Sequence, residues 1–157
     1  MPVRLAESSD AEIIGQLLDD FNREYDDPTP GPPALAERMR ELVTGEETAV
    51  LLADGAPNRD QRGADGLAVL RFRPGIWSTA LECYLAELYV VPDRRGQGTG
   101  RALMEAAIEL ARARGADHMD LGTGEDDVAA RALYESLGFD NHERPGGPIA
   151  YFYQRDL

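Results

Sequence analysis

Apolar residues follow two rhythms along the chain, alternate positions in some stretches and every third or fourth in others, and the switches between them mark the elements. Val3 and Leu5 share a face of a short alternating run over residues 2–7. Ser9-Asp10-Ala11-Glu12 reads as a capping box, and Ile13, Ile14, Leu17, Leu18 and Phe21 as the stripe of the helix it opens. The stretch from Tyr25 to Pro33 holds four prolines and ends that helix. Leu35, Met39, Leu42 and Val43 predict a second helix closed by Gly45. Strands are expected over residues 48–53, 67–73 and 81–91, with a polar loop from Asp54 to Asp65 and a break at Pro74-Gly75. Leu67 and Val69 share one strand face, which Arg71 would extend.

A helical pattern resumes near Thr99, with Ala102, Leu103, Ala106, Ala107 and Leu110 at helical spacing and Gly115 as its stop. Residues 118–121 predict a short strand. Asp126 or Asp127 can cap the next helix, which turns Val128, Ala129, Ala132, Leu133 and Leu137 inward and ends at Gly138. Residues 149–155 alternate as a closing strand. The order predicts an α/β (α+β) fold, a mixed central sheet of six to seven strands with helices on both faces, in one domain over residues 1–157.

Composition narrows the function. With 43% hydrophobic residues the chain can bury a core, and a net charge of −13 opposes general nucleic-acid binding, because phosphates would be repelled. No apolar run approaches the roughly 18 residues that span a bilayer, so no membrane partner is expected. Met1-Pro2-Val3-Arg4-Leu5 lacks the apolar core of a secretory leader, and the one cysteine excludes an internal disulfide. The expected location is cytoplasmic.

The chemistry concentrates where the strand ending at Val91 meets the helix starting near Thr99. Between them lies Pro92-Asp93-Arg94-Arg95-Gly96-Gln97-Gly98-Thr99-Gly100-Arg101. A helix N-terminus presents unpaired backbone N–H groups to an anion, and the three glycines permit close backbone approach and positive φ. Arg94, Arg95 and Arg101 stand at the positive end of a helix dipole, where cations are disfavoured by roughly 0.3–1 kcal/mol. A ligand with several negative charges would offset them. Gly-x-Gly-x-x-Gly spacing is absent, as is Gly-Lys-Ser/Thr, which sets aside dinucleotide-binding oxidoreductases and P-loop NTPases.

Two motifs carry a resemblance. Arg95-Gly96-Gln97-Gly98-Thr99-Gly100 matches Gln/Arg-x-x-Gly-x-Gly/Ala, and Ala130-Arg131-Ala132-Leu133-Tyr134-Glu135-Ser136-Leu137-Gly138-Phe139 follows about 40 residues on. The pair resembles the signature of the GCN5-related N-acetyltransferase (GNAT) superfamily, in residue detail over about residues 81–140 and in element order over the whole chain. The resemblance implies that fold, acetyl-CoA or another acyl-CoA as donor, no metal, and a primary amine of a small molecule or peptide as acceptor. It implies direct attack in a ternary complex. Homodimers are common in the family, so a homodimer is one assembly it allows.

The resemblance also suggests roles. Backbone amides from Gly96 to Arg101, through Gln97, Gly98, Thr99 and Gly100, would cradle the pyrophosphate, with Arg95 and Arg101 adding charge. The pantetheine arm would pair with Leu88, Val90 and Val91, one of whose N–H groups could polarise the thioester carbonyl. Glu87 lies one residue before this stretch, on the same strand face as Tyr89, and is assigned as general base, direct or through water. A solvated or ion-paired glutamate explains it equally well, and Glu82 is a weaker rival. Tyr134 matches the family's general acid, and a phenol near pKa 10 suits a thiol near 8.5. Many relatives carry Asn seven residues before that tyrosine, where it contacts the cofactor; here the position is Asp127, which caps a helix but cannot donate when ionised.

Phe21, Tyr25, Trp77 and Tyr89 are the acceptor-pocket candidates, with packing an equal alternative for Phe21, Tyr25 and Trp77. Cys83 reads as a buried small hydrophobe, and His118 and His142 lack metal-ligand spacing. The rival to catalysis is a non-catalytic acyl-CoA sensor on the same fold. No motif identifies the acceptor.

Overall fold

The computed structural model describes residues 2–55 and 63–157. They fall into two compact units, residues 1–121 and 122–157. The first carries strands β1 (Val3–Leu5), β2 (Thr48–Asp54), β3 (Ala64–Pro74), β4 (Leu81–Val90) and β5 (Ala116–Asp120) in one sheet of order β1-β2-β3-β4-β5. Its helices are α1 (Ala11–Glu24), α2 (Pro32–Thr44) and α3 (Thr99–Ala113). The sheet is antiparallel from β1 to β4, and β5 joins β4 in parallel. Residues 56–62 of the expected polar loop lie outside the described residues.

Alternation in the strands splits the core in two. Val50, Leu52, Leu67, Val69 and Tyr89 face α1 and α2, where they meet Ile14, Leu17 and Met39. The opposite face, with Leu51, Ala68 and Leu70 in register, belongs to α3, whose Leu103 and Met104 are fully buried. Arg71 is exposed at the edge of this pattern and does not extend the Leu67–Val69 face into the core.

The sheet is five-stranded among the described residues, not six- or seven-stranded. Residues 149–155 alternate in hydrophobicity but gain no ladder: the second unit has a single isolated bridge, His142 to Ile149, and Tyr151, Phe152 and Tyr153 stay exposed. Alternation marks an aptitude for pairing and does not by itself supply the backbone partners that a strand needs. That unit otherwise holds α4 (Val128–Ser136), capped by Asp127 and followed by Gly138 at φ +91°. Val128, Ala129 and Ala132 are exposed on α4, not inward.

Three further expectations shift in detail. The capping arrangement lies upstream of Ser9: Asp10 accepts from the Glu7 N–H at 2.8 Å and from both terminal nitrogens of Arg4 at 2.9 Å, closing a 3-10 turn over Ser8–Asp10 that leads into α1. Those bonds hold the Asp10 carboxyl below its usual range, Arg4 contributing most. Of the four prolines, Pro32 and Pro33 form the first turn of α2, where a missing N–H costs nothing. Gly45 follows that helix in extended conformation, so no left-handed cap is used.

The α1–α2 crossing rests on Gly15. A Cβ there would sit 2.8 Å from both the Ala36 nitrogen and the Pro32 oxygen, which are backbone atoms that cannot swing away. Gly15→Ala is therefore expected to destabilise the protein by about 1–3 kcal/mol through overpacking, against the roughly 1 kcal/mol that alanine gains as a helix former. Gly45→Ala, whose Cβ would meet only ordinary contact at 3.6 Å, is the control and should stay within about 0.5 kcal/mol of the parent. Urea denaturation of both variants measures the difference.

Candidate active site

The site begins with how β4 is used along its two edges. Against β3 it is paired from Leu81 to Val90. Against β5 the pairing covers only Leu81 to Tyr84 among the described residues. Beyond Tyr84 the β5-side edge is open. The Val91 N–H donates to Asp65 O at 2.9 Å, on the β3 side, and the Tyr89 carbonyl lies against Gly66 of β3. Backbone groups alternate in direction along a strand, so Leu88 and Val90 turn toward the open edge. Val91 is thus spent within the sheet, whereas Leu88 and Val90 face outward.

A bulge re-aims the next residues. Val69 pairs with Glu87 and Leu70 with Leu85, which leaves Ala86 as the extra residue on β4. Glu87 and Tyr89 consequently stand opposite Val69 and Leu67, on the face covered by α1 and α2. Tyr89 is only 5% exposed and stacks on Phe21 at 5.0 Å between centroids, and Phe21 meets Tyr25 at 5.5 Å. These three rings form one wall. Trp77 takes no part in it, being 96% exposed. Solvent reaches Glu87, yet protein crowds its carboxyl: burial first, and the charge of Asp27 second, push its pKa up.

Asp27 is held in place by a network that periodicity does not reveal. Asp19, 2% exposed, accepts from Arg23 Nε at 2.6 Å and from Thr29 Oγ1 at 2.7 Å. The Asp27 N–H donates to Asn22 O at 2.8 Å, and Asp26 turns the chain with φ +55°. Burial pushes the Tyr89 phenol up to about 12, assisted by the charges of Glu24 and Asp20.

The loop after β4 opens with a 3-10 turn over Pro92–Arg94. Gly96 and Gly98 adopt φ +71° and +88°, and an added Cβ at either would meet nothing within 4 Å. Gly100 departs from the expectation, because it already lies within α3 and is not among the positive-φ residues. Ala102 N–H donates to Gly98 O at 3.0 Å, which leaves the amides of Thr99 and Gly100 in the first turn pointing out of the helix end. The Thr99 hydroxyl at the same end is buried and has no partner among the described residues.

The arginines serve the protein more than the sequence implied. Arg94 approaches Asp65 at 3.6 Å, both side chains being mostly buried. Arg95 donates through Nε to Val90 O at 2.9 Å and through Nη2 to Glu24 at 2.8 Å, with its guanidinium 5.7 Å from the Tyr89 ring centre. Arg101 lies 4.0 Å from Glu105. The Gln97 side chain donates to Asp93 O at 3.3 Å. Glu24 and Asp27 escaped the sequence reading; the one available signal was Glu24 itself, an anion in the last turn of a helix, where the dipole disfavours it.

In the second unit, Asp127 accepts the Ala130 N–H at 3.2 Å and so caps α4. Tyr134 is buried on that helix, edge-on to Phe139 at 6.1 Å, and burial, then the Asp127 charge, push its phenol up to about 12. Cys83 lies buried in β4 with its thiol pushed up to about 11, chiefly by burial. Glu82 is engaged by Arg73 at 2.7 Å. Among the described residues no group of three or more His, Cys, Asp or Glu could hold a metal ion.

A strand edge that opens beside a glycine loop and a helix N-terminus can take an extended chain ending in an anion. Comparison with known proteins agrees with that arrangement. The model of the acetyltransferase (GNAT) family matches residues 15–139. The chain belongs to the acetyltransferase (GNAT) family. A crystal structure from Arthrobacter sp. FB24, assigned as an acetyltransferase, is 41% identical over 100% of this chain and 96% of its own, with a TM-score of 0.88. A mycothiol acetyltransferase of Thermobispora bispora is 35% identical over 127 residues, 78% of this chain and 35% of the relative. An N-alpha-acetyltransferase 30 of Schizosaccharomyces pombe is 39% identical over 66 residues, 42% of this chain and 44% of the relative. The chain therefore spans less than half of each of these two relatives.

The Glu87 environment makes a measurable prediction. Asp27→Asn removes the like charge, so the Glu87 pKa should fall toward the usual glutamate value yet remain above it, because burial persists. Carboxyl carbon NMR titration reads this directly. A raised folded-state pKa means stability lost as pH rises through it. Glu87→Gln should accordingly melt higher than the parent at pH 7, with the gain vanishing below the ordinary carboxylate range.

Proposed function

We propose that the protein transfers an acetyl group from acetyl-CoA to a primary amine of a small molecule or peptide by direct attack in a ternary complex. The observation that carries this reading is the open edge of β4 running into the positive-φ glycines at the start of α3, in a chain of the acetyltransferase family. The loop fits the donor's pyrophosphate: Gly96 and Gly98 leave open space where other residues carry Cβ, and the buried Thr99 hydroxyl lacks a protein partner among the described residues. Backbone amides from Gly96 to Arg101 would hold the phosphates, and Leu88 and Val90 would pair with the pantetheine arm. The family match crosses the boundary between the two units, which supports reading residues 1–157 as one catalytic domain.

The donor supplies an activated thioester carbonyl. Glu87 accepts the proton of the attacking amine, directly or through water, and its raised pKa makes it a stronger base than an ordinary glutamate. The Leu88 N–H is the proposed hydrogen-bond donor to the carbonyl oxygen. As the carbon–nitrogen bond forms and the carbon–sulfur bond breaks, Tyr134 gives its proton to the departing sulfur. A phenol near 12 stays protonated at neutral pH but is a weak acid. Burial raises a thiol's pKa as well, so a sulfur leaving beside the buried Tyr134 would demand a proton more strongly than one in water.

Phe21, Tyr25 and Tyr89 form the proposed acceptor wall. The names of the two relatives do not single out one acceptor. No helix among the described residues is long and apolar enough to cross a membrane, and the buried Cys83 suits the reducing cytoplasm proposed as its location.

Two variants test the reading. Gly98→Val forces a β-branched residue to positive φ and fills the phosphate space, so calorimetric titration should show coenzyme A binding reduced beyond detection in a folded variant. Tyr134→Phe should keep coenzyme A affinity and lose kcat by roughly 10²–10⁴-fold, with kcat/KM falling in parallel, measured on an acceptor found by screening an amine library. Wild-type turnover by Tyr134→Phe would remove its acid role, and unchanged affinity in Gly98→Val would remove the donor from this loop.

A further inference from the structure

The sequence directs Arg95 toward the phosphates of the donor, whereas its contacts direct it inward. One planar guanidinium reaches the last residue of β4 (Val90 O, 2.9 Å), the last residue of α1 (Glu24, 2.8 Å) and the face of Tyr89 (5.7 Å). The Tyr89 hydroxyl also donates to the same Glu24 oxygen at 3.4 Å. Only arginine carries Nε and Nη donors in one rigid plane and can hold a carbonyl and a carboxylate together. The contacts join the glycine loop to the ring wall, because Arg95 immediately precedes Gly96 while Glu24 lies between Phe21 and Tyr25.

We propose that Arg95 and Glu24 are positioning residues that tie the donor loop to the acceptor wall, so that filling the loop is transmitted to the rings on α1. The proposal rests on the acetyltransferase reading above. The transmitting step is specific: Val90 O, on the open edge of β4, is already taken by Arg95. A donor arm that pairs along this edge must share or displace that bond. The guanidinium then shifts, and its hold on Glu24 and the Tyr89 ring shifts with it. Arg95 acts on Glu24 and Tyr89, not on the phosphates.

The test uses the full chain with ring-labelled Phe and Tyr, titrated with coenzyme A and followed by aromatic NMR and calorimetry. In the parent, the Phe21, Tyr25 and Tyr89 ring signals should move on saturation. In Glu24→Gln, Arg95→Ala and Arg95→Lys that movement should fall to less than about half, while coenzyme A affinity holds or rises, as reciprocity requires when a bond that the donor arm must share or displace is loosened. Far-UV circular dichroism confirms that each variant is folded. Three results overturn the proposal: parent rings that do not respond although coenzyme A binds, rings that respond fully in Glu24→Gln, or an affinity loss of about tenfold or more in Arg95→Ala alone, which would make Arg95 a phosphate ligand. Failure of coenzyme A to bind the parent would instead overturn the acetyltransferase reading, and this inference with it.

Discussion

Everything in the site follows from an unequal demand on the two edges of β4. Every backbone N–H and C=O in a sheet needs a partner, and the β3 side meets that need along the whole strand. The β5 side meets it for only four residues. What remains is a short row of backbone donors and acceptors held rigid by one neighbour and open on the other side. A loop could offer the same groups, but a strand paired on one side offers them in fixed positions. The glycine loop then continues the same track to a helix end, where the amides change from lying along an edge to converging on a point.

Two bulges set the angles. Ala86 on β4 turns Glu87 toward the α1–α2 face, and Asp65, the extra residue where β2 pairs with β3, takes the Val91 N–H and approaches Arg94. A single inserted residue thus aims the proposed base, and another anchors the start of the loop. Each insertion leaves its strand continuous along the chain.

Sequence rhythm located these strands and helices well because burial on one face is a property of spacing, and spacing is written in the chain. Ile14 and Leu17 on α1, Leu67 and Val69 on β3, and Leu103 on α3 all fell on predicted faces. Bulges escaped because one extra residue is defined by the partner strand's register, which spacing along a single strand does not record. Residues 149–155 misled because alternation records an aptitude for pairing, not a ladder that is made. Charges were the least readable. Arg94 and Arg95 looked like cations awaiting a ligand, and their partners, Asp65 and Glu24, lie 29 and 71 residues away in sequence. Nothing in the spacing marks Asp19, yet in the fold it is buried and accepts from Thr29 of the proline-rich turn. Tyr134 and the Arg95–Gly100 stretch were recognisable as a motif, whereas Glu87's perturbed carboxyl required Asp27 and its surroundings in three dimensions.

The contact at Gly15 bears on how such a protein can change over generations. With backbone meeting backbone at that crossing, α1 and α2 cannot slide or rotate against each other without separating, so the pair behaves as one plate. A lineage changing what the rings meet gains little by moving the plate. It can instead exchange the rings at positions 21 and 25, or rewrite the turn over 25–31, while the plate stays as it is. Side chains on the plate can thus vary while its crossing stays fixed, held by one glycine that carries no chemistry of its own.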